Sequence, residues 1–121
     1  MNIIIRATTN RIDTARIMHV AAFDNEEERL IGCCVVKMDL SIPLIHNFAV
    51  KKGCRRSGVG TSMMQFIIER CSQLKKIGVC TIVNKENTPA KNLYEKCGLS
   101  IAQDRWQEKQ WLMTRTFKEA T

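Results

Sequence analysis

Two glycines one residue apart, Gly58 and Gly60, stand where an extended apolar run gives way to a helical pattern, and this junction constrains the chain more than any other feature. Residues 44–50 read as a strand. The basic turn Lys51-Lys52-Gly53-Cys54-Arg55-Arg56-Ser57 follows, and a helix starts at once beyond it. Without Cβ atoms, Gly58 and Gly60 let the backbone approach a ligand closely and adopt angles that other residues avoid. Successive amide N–H groups leading into a helix N-terminus form an anion cradle, and Arg55 and Arg56 bring fork-shaped donors suited to phosphate oxygens. The competing reading is a solvated basic loop closed by glycines. The spacing is neither the three-glycine dinucleotide fingerprint nor a P-loop, since no Gly-Lys-Ser/Thr follows.

A chain of 121 residues makes a single domain, residues 1–121, with one core. With 45% apolar and 26% charged residues it has the balance of a soluble globule. No apolar run is long enough to cross a bilayer, and the opening Met1-Asn2-Ile3-Ile4-Ile5-Arg6 has no secretory leader pattern, so the expected location is the cytoplasm with no membrane partner. The six cysteines contain no Cys-x-x-Cys pair, and four lie in apolar periodic segments. Reduced, buried thiols are expected rather than disulfides or a metal site. The net charge of +7 suits either nucleic acid or a smaller polyanion such as a nucleotide cofactor. Only residues 51–56 concentrate it, and no aromatic-basic interleaving supports a single-strand binder, so the cofactor is preferred over nucleic acid.

The pattern along the chain predicts a strand at residues 2–7, then a helix from Thr9 or Asn10 through Ala22 with the stripe Ile12, Ala15, Ile17, Val20 and Ala21. An acidic linker at 24–28, a strand at 29–38, a turn at 39–43 and the strand at 44–50 come next. A helix over 60–74 follows, with Gly78 helping to end it, then an interior parallel strand at 78–83. Asn87 or Thr88 caps a helix with Pro89 in its first turn and Ala90, Leu93, Tyr94 and Cys97 inward, and Gly98 stops it. Residues 100–105 and 111–117 read as a terminal antiparallel pair. Alternating strands and helices of this kind make an α/β domain with a mixed sheet.

Taken together, two segments resemble the GNAT superfamily of acyl-coenzyme A-dependent N-acetyltransferases. The phosphate motif of that family, Arg/Gln-x-x-Gly-x-Gly/Ala, stands here as Arg55-Arg56-Ser57-Gly58-Val59-Gly60. A later motif stands as Asn87, Ala90 and then Leu93-Tyr94-Glu95-Lys96-Cys97-Gly98-Leu99. The resemblance runs over most of the chain. It implies a single-domain α/β fold with a mixed, splayed β-sheet and helices on both faces, and acetyl-coenzyme A as co-substrate. The implied cofactor contacts are Phe48, Ala49 and Val50 on the strand, the turn from Arg55 and Arg56 through Ser57, Gly58, Val59, Gly60 and Thr61, and Asn84, Asn87 and Tyr94 beyond it. Independently of the family, Asn87 reads as a helix cap, and the two uses are compatible.

The resemblance gives Tyr94, the only tyrosine, the role of general acid toward the departing thiolate; packing in the core is the competing reading. A phenol with a pKa of about 10 keeps its proton at neutral pH and can donate it. His46, placed by strand periodicity on one face with Phe48 and Val50, is the candidate base, with a pKa of about 6.5. A histidine satisfied by neighbouring backbone is the alternative. The implied reaction is direct acetyl transfer to a primary amine on a small molecule or a protein, in a ternary complex without a cysteine intermediate. The rival function is a non-catalytic acyl-coenzyme A-binding regulator. Two departures from the family stand out. The region between the first two strands has room for one helix where the family has two, and Lys52 replaces a usual proline. An open acceptor side, or one completed by a homodimer, follows. Trp106 and Trp111 serve either that dimer or the monomer's own core.

Overall fold

Antiparallel pairing organises the first half of the molecule. In a computed structural model describing residues 1–12, 15–55, 57–102 and 107–118, β1 (Ile3–Ile12) and β2 (Ala15–Asp24) form a long hairpin, from Ile3 opposite Asp24 to Ile12 opposite Ala15. The helix expected from Thr9 or Asn10 through Ala22 is therefore absent. Along β2 burial alternates: Met18, Val20, Ala22 and Asp24 are buried, while the residues between them are not. That is a period of two. The supposed helical stripe joined inward Val20 to outward Ile17 and Ala21, and the isoleucines and threonines of β1 favour extended backbone.

β3 (Arg29–Lys37) and β4 (Leu44–Val50) extend the meander. Beyond them lie α1 (Val59–Gln73), β5 (Gly78–Asn84), α2 (Thr88–Lys96), β6 (Ser100–Ile101) and β7 (Gln110–Thr116). The strands form one sheet in the order β1-β2-β3-β4-β5-β7-β6, with β4 and β5 parallel and the other pairs antiparallel. The mixed α/β sheet read from the sequence is present. Helix α1 buries Val59, Met63, Met64, Ile67 and Cys71 against Met18, Val20, Cys34, Val36 and Ile45 of the sheet. Helix α2 lies beside α1 on that same side, Leu93 meeting Gly60. The residues that would have supplied a helix for the other side have gone into β1 and β2. None of the described helices is long and apolar enough to cross a membrane.

Helix α1 ends in a left-handed Lys75 (φ 62), and Gly78 has a different task from the expected stop signal. It is the first residue of β5, and a Cβ there would lie 2.1 Å from the Arg115 carbonyl oxygen of β7. Backbone cannot yield as a flexible side chain would. Gly78→Ala is expected to destabilise the protein by about 3 kcal/mol, the upper part of the usual range for overpacking, measured as a lowered urea midpoint with an unchanged m-value.

Of the tryptophans, Trp111 packs against the core, with Lys85 and Lys91 over its ring at 5.7 and 5.3 Å. Trp106 lies outside the described residues, as do residues 103–105 of the expected terminal strand; β6 as described is Ser100–Ile101.

Candidate active site

Strands β4 and β5 are paired only at their beginnings. Leu44 faces Cys80, Ile45 faces Thr81, and the ladder stops there. Thr81 Oγ1 donates to the Ile45 carbonyl at 2.9 Å and fastens the last rung. Just beyond, β4 carries one extra residue against β3: Val35 pairs with His46 but Cys33 pairs with Ala49. Asn47 takes a left-handed conformation (φ 55) within this stretch. Such a bulge bends a strand and turns the side chains beyond it to the other face. The strands thus part after Ile45 and Thr81, leaving a gap between residues 46–50 and 82–84.

The bulge corrects one expectation. His46 does not share a face with Phe48 and Val50. It falls with Val35 on the side away from the helices, whereas Phe48 and Val50 pack against the core on the helix side. The signal was in the sequence: an asparagine in the middle of an apolar strand, a residue type that tolerates the left-handed region. Ala49, opposite Cys33, is on the His46 side.

Tyr94 is 4% exposed and meets Phe48 edge-on, with ring centroids 5.9 Å apart and planes at 79°. Burial pushes its phenol pKa up, with the Thr81 hydroxyl beside it acting in the opposite direction. The phenol is thus protonated at neutral pH. Thr81, not singled out by sequence reasoning, stands both at the last rung and beside this group. The imidazole of His46 is held below its ordinary pKa, first by burial and then by the Lys37 cation. Its Nε2 is shielded from solvent and has no hydrogen-bond partner among the described residues, so the backbone-satisfied alternative is not met at that atom.

Two helix N-termini open at the same end of the gap, because β4 and β5 run parallel into α1 and α2. Gly58 is the N-cap of α1 in a left-handed conformation (φ 88), with no side-chain cap and no acidic residue in the first turn. The first helical bond runs from Ser62 N–H to the Gly58 carbonyl at 2.9 Å. Helical geometry accordingly provides no acceptor for the N–H groups of Val59, Gly60 and Thr61. Ser57 Oγ donates to the Cys54 carbonyl and Cys54 N–H to the Lys51 carbonyl, which folds the basic turn under the helix start. Arg55 Nε reaches back to the Val50 carbonyl at 3.3 Å, tying the turn to the end of β4. Arg56 lies outside the described residues.

Gly60 is small for a reason visible in the packing. A Cβ there would come within 2.9 Å of a Leu93 methyl, so α2 can lie directly on the first turn of α1. Asn87 does cap α2, its Oδ1 accepting from Ala90 N–H at 3.3 Å. Asn84, at the end of β5, accepts from Gln110 Nε2 at 3.0 Å and is thereby held to β7. The structure thus brings Phe48, Val50, the Gly58–Thr61 turn, Asn87 and Tyr94 to one gap on the helix side, and leaves His46 and Ala49 across the sheet.

Among the cysteines, burial holds Cys97 above its ordinary pKa despite Lys96 and Arg115, and pushes Cys34 up to about 12. Both are thiols at neutral pH and poor nucleophiles.

The sequence pattern of the acetyltransferase (GNAT) family matches residues 5–99. Comparison with curated protein sequences finds no match. Among solved structures, the ribosomal-protein-S18-alanine N-acetyltransferase of Escherichia coli superposes with a TM-score of 0.73 at 17% identity, over 87% of this chain and 72% of that one. A Bacillus anthracis acetyltransferase in complex with acetyl coenzyme A gives 0.79 at 17% identity, over 98% and 100% of the two chains. A PaiA N-acetyltransferase of Thermoplasma acidophilum in complex with coenzyme A gives 0.75 at 15% identity, over 84% and 61%. At these identities the likeness is one of fold.

Proposed function

This chain belongs to the acetyltransferase (GNAT) family, and we propose that it transfers an acetyl group directly from acetyl-coenzyme A to a primary amine. The observation that carries the reading is the coincidence of three features at one place: a parallel ladder that ends at Ile45 and Thr81, a buried phenol at the parting, and an uncapped glycine-initiated helix beside it. The N–H groups of Val59, Gly60 and Thr61, for which the helix itself provides no acceptor, suit a pyrophosphate, with the helix dipole behind them. A pantetheine arm is a slender chain with amide donors and acceptors, and the unladdered edge of residues 46–50 offers matching backbone groups. Fold relatives described as complexes with coenzyme A or acetyl coenzyme A support this choice of co-substrate.

With the thioester in the gap, the two sides of the sheet take different parts. Tyr94, on the helix side, gives its phenolic proton to coenzyme A sulfur as the carbon–sulfur bond breaks. The amine forms the new carbon–nitrogen bond from the opposite side, where His46 stands, and its surplus proton passes to the imidazole directly or through water. Acid and base approach from opposite faces, so neither neutralises the other. Backbone N–H groups of β4 at Phe48 or Val50 meet the charge that develops on the carbonyl oxygen. The high thiol pKa values of Cys97 and Cys34 argue against an acetyl-cysteine. Initial-rate lines should therefore intersect, and mass spectrometry of enzyme mixed with acetyl-coenzyme A alone should show no acetylated protein. Parallel lines with a trapped acetyl-cysteine would refute direct transfer.

The decisive experiment is an acceptor screen with acetyl-coenzyme A, read as free thiol released, over small amines, polyamines, lysine peptides and peptides with free N-termini. Release with at least one class is expected. Coenzyme A binding without release for any of them would point instead to a non-catalytic acyl-coenzyme A sensor.

The shifted imidazole gives a pH prediction. His46 binds its proton less readily folded than unfolded, so it contributes stability that is present above the unfolded value of about 6.5 and lost as pH falls through the lower folded value. Between pH 7 and 5 the wild type should lose stability faster than His46→Gln, measured by urea titration. The acidic limb of kcat/KM should lie below the ordinary histidine range and disappear in the same variant if the imidazole is the base.

A further inference from the structure

The sheet face turned away from the helices carries a second apolar layer. By register Ile4, Phe23, Val35, Leu44, Ile82 and Leu112 all fall on it. They are half-buried, and none belongs to the core or packs against it. Leu30, opposite Phe23, is 50% exposed. Apolar residues on both faces of a sheet are ordinarily covered on both, yet the two described helices share the other side.

Charge decides what suits this face. Arg6 on β1 and Lys37 on β3 are exposed there, and the Arg6 guanidinium sits 5.4 Å from the centroid of the Phe23 ring. No outward position of the described strands holds Asp or Glu: Asp24 points inward, and Glu26, Glu27, Glu28 and Asp39 are in turns. A second copy stacked on this face would add two more cations, Arg6 and Lys37, and no strand carboxylate to meet them. An acidic occupant meets no such cost. The spacing suits a helix. β1 and β3 flank β2 and lie about 9.5 Å apart, two strand spacings, close to the diameter of about 10 Å of a helix with its side chains. A helix lying along β2 would rest on Ile17, His19, Ala21 and Phe23, between the Arg6 and Lys37 rows.

We propose that this face docks an acidic amphipathic helix of a partner protein, its apolar stripe on β2 and its carboxylates toward Arg6 and Lys37.

The test uses the full chain and two synthetic peptides with the same leucine stripe at i, i+3, i+4 and i+7, one flanked by glutamates and the other by lysines. Fluorescence anisotropy should show the glutamate peptide binding at least about 10-fold more tightly, with a preference that shrinks at high salt. Methyl resonances of Ile4, Ile17 and Val35 should shift while that of core Ile67 stays in place. The double variant Arg6→Glu, Lys37→Glu should reverse the preference and leave coenzyme A affinity unchanged, since neither residue is in the glycine turn or the gap. Equal affinity for the two peptides, or none for either, would overturn the proposal. So would a wild-type dimer in sedimentation that Val35→Asp dissociates, because the face would then belong to a second copy.

Discussion

Tyr94→Phe should lower turnover by about 100-fold or more, within the range of about 10²–10⁴ seen when a general acid or base is removed. The change deletes one hydroxyl and almost no volume, and the ring keeps its edge-on contact with Phe48. Folding should be nearly untouched. The loss should fall on kcat, with the apparent affinity for acetyl-coenzyme A little altered, because the proton is needed only as the thiolate departs. A substrate whose leaving thiol is more acidic should recover part of the rate. Full turnover by the Phe variant, where chemistry limits the rate, would reduce Tyr94 to a packing residue.

Gly58→Val should abolish detectable coenzyme A binding. At φ 88 a residue with a Cβ pays about 1–2 kcal/mol of backbone strain. Apart from its chain neighbours, no atom of the described residues lies within 4 Å of the Cβ position, so the side chain would project into the space before the α1 N-terminus, where a pyrophosphate would lie. Gly53 supplies the control. It too has a left-handed φ, 94, and open space around its Cβ position, but it is not at the helix start. Gly53→Val should lower stability similarly and leave most of the coenzyme A affinity. Calorimetry on both variants separates strain from occlusion, and equal losses of affinity would show that the loop conformation matters and the cradle does not.

What the sequence revealed follows from where local pattern and tertiary demand agree. Asn87, Pro89 and Gly98 punctuate α2 so strongly that its limits were readable, and the apolar stripe from Met63 to Cys71 left no alternative to α1. The glycine turn was readable because Gly58 needs its left-handed angle. Misreading came where the local signals were ambivalent. Met18, Val20 and Ala22 alternate, but Ile17, Ala21 and Phe23 of the opposite row are apolar as well, because the far side of the sheet is apolar too. A strand greasy on both sides imitates a helix in a window of ten residues. The face of His46 was lost to a different cause. A single extra residue at the Asn47 bulge reverses every side chain after it, and no periodicity argument survives an insertion of one. Thr81 carries no distinguishing local signal, because threonine is among the residues ordinarily enriched in strands, and only the third dimension sets it beside Tyr94.

The short ladder between β4 and β5 has a mechanical consequence. The chain up to Val50 is a meander of neighbouring strands, assembled from local contacts, while β5, β7 and β6 form a second patch of sheet, and two rungs with helix α1 rivet them together. Local pairings form early and cheaply, so the meander should be the nucleus of folding and the far patch the later, looser partner. An extended molecule lodged between the two patches takes the place of the missing rungs. It would tie the halves into one cooperative unit, so amide exchange in β5 and β7 should slow on ligand binding far more than in β1 and β2.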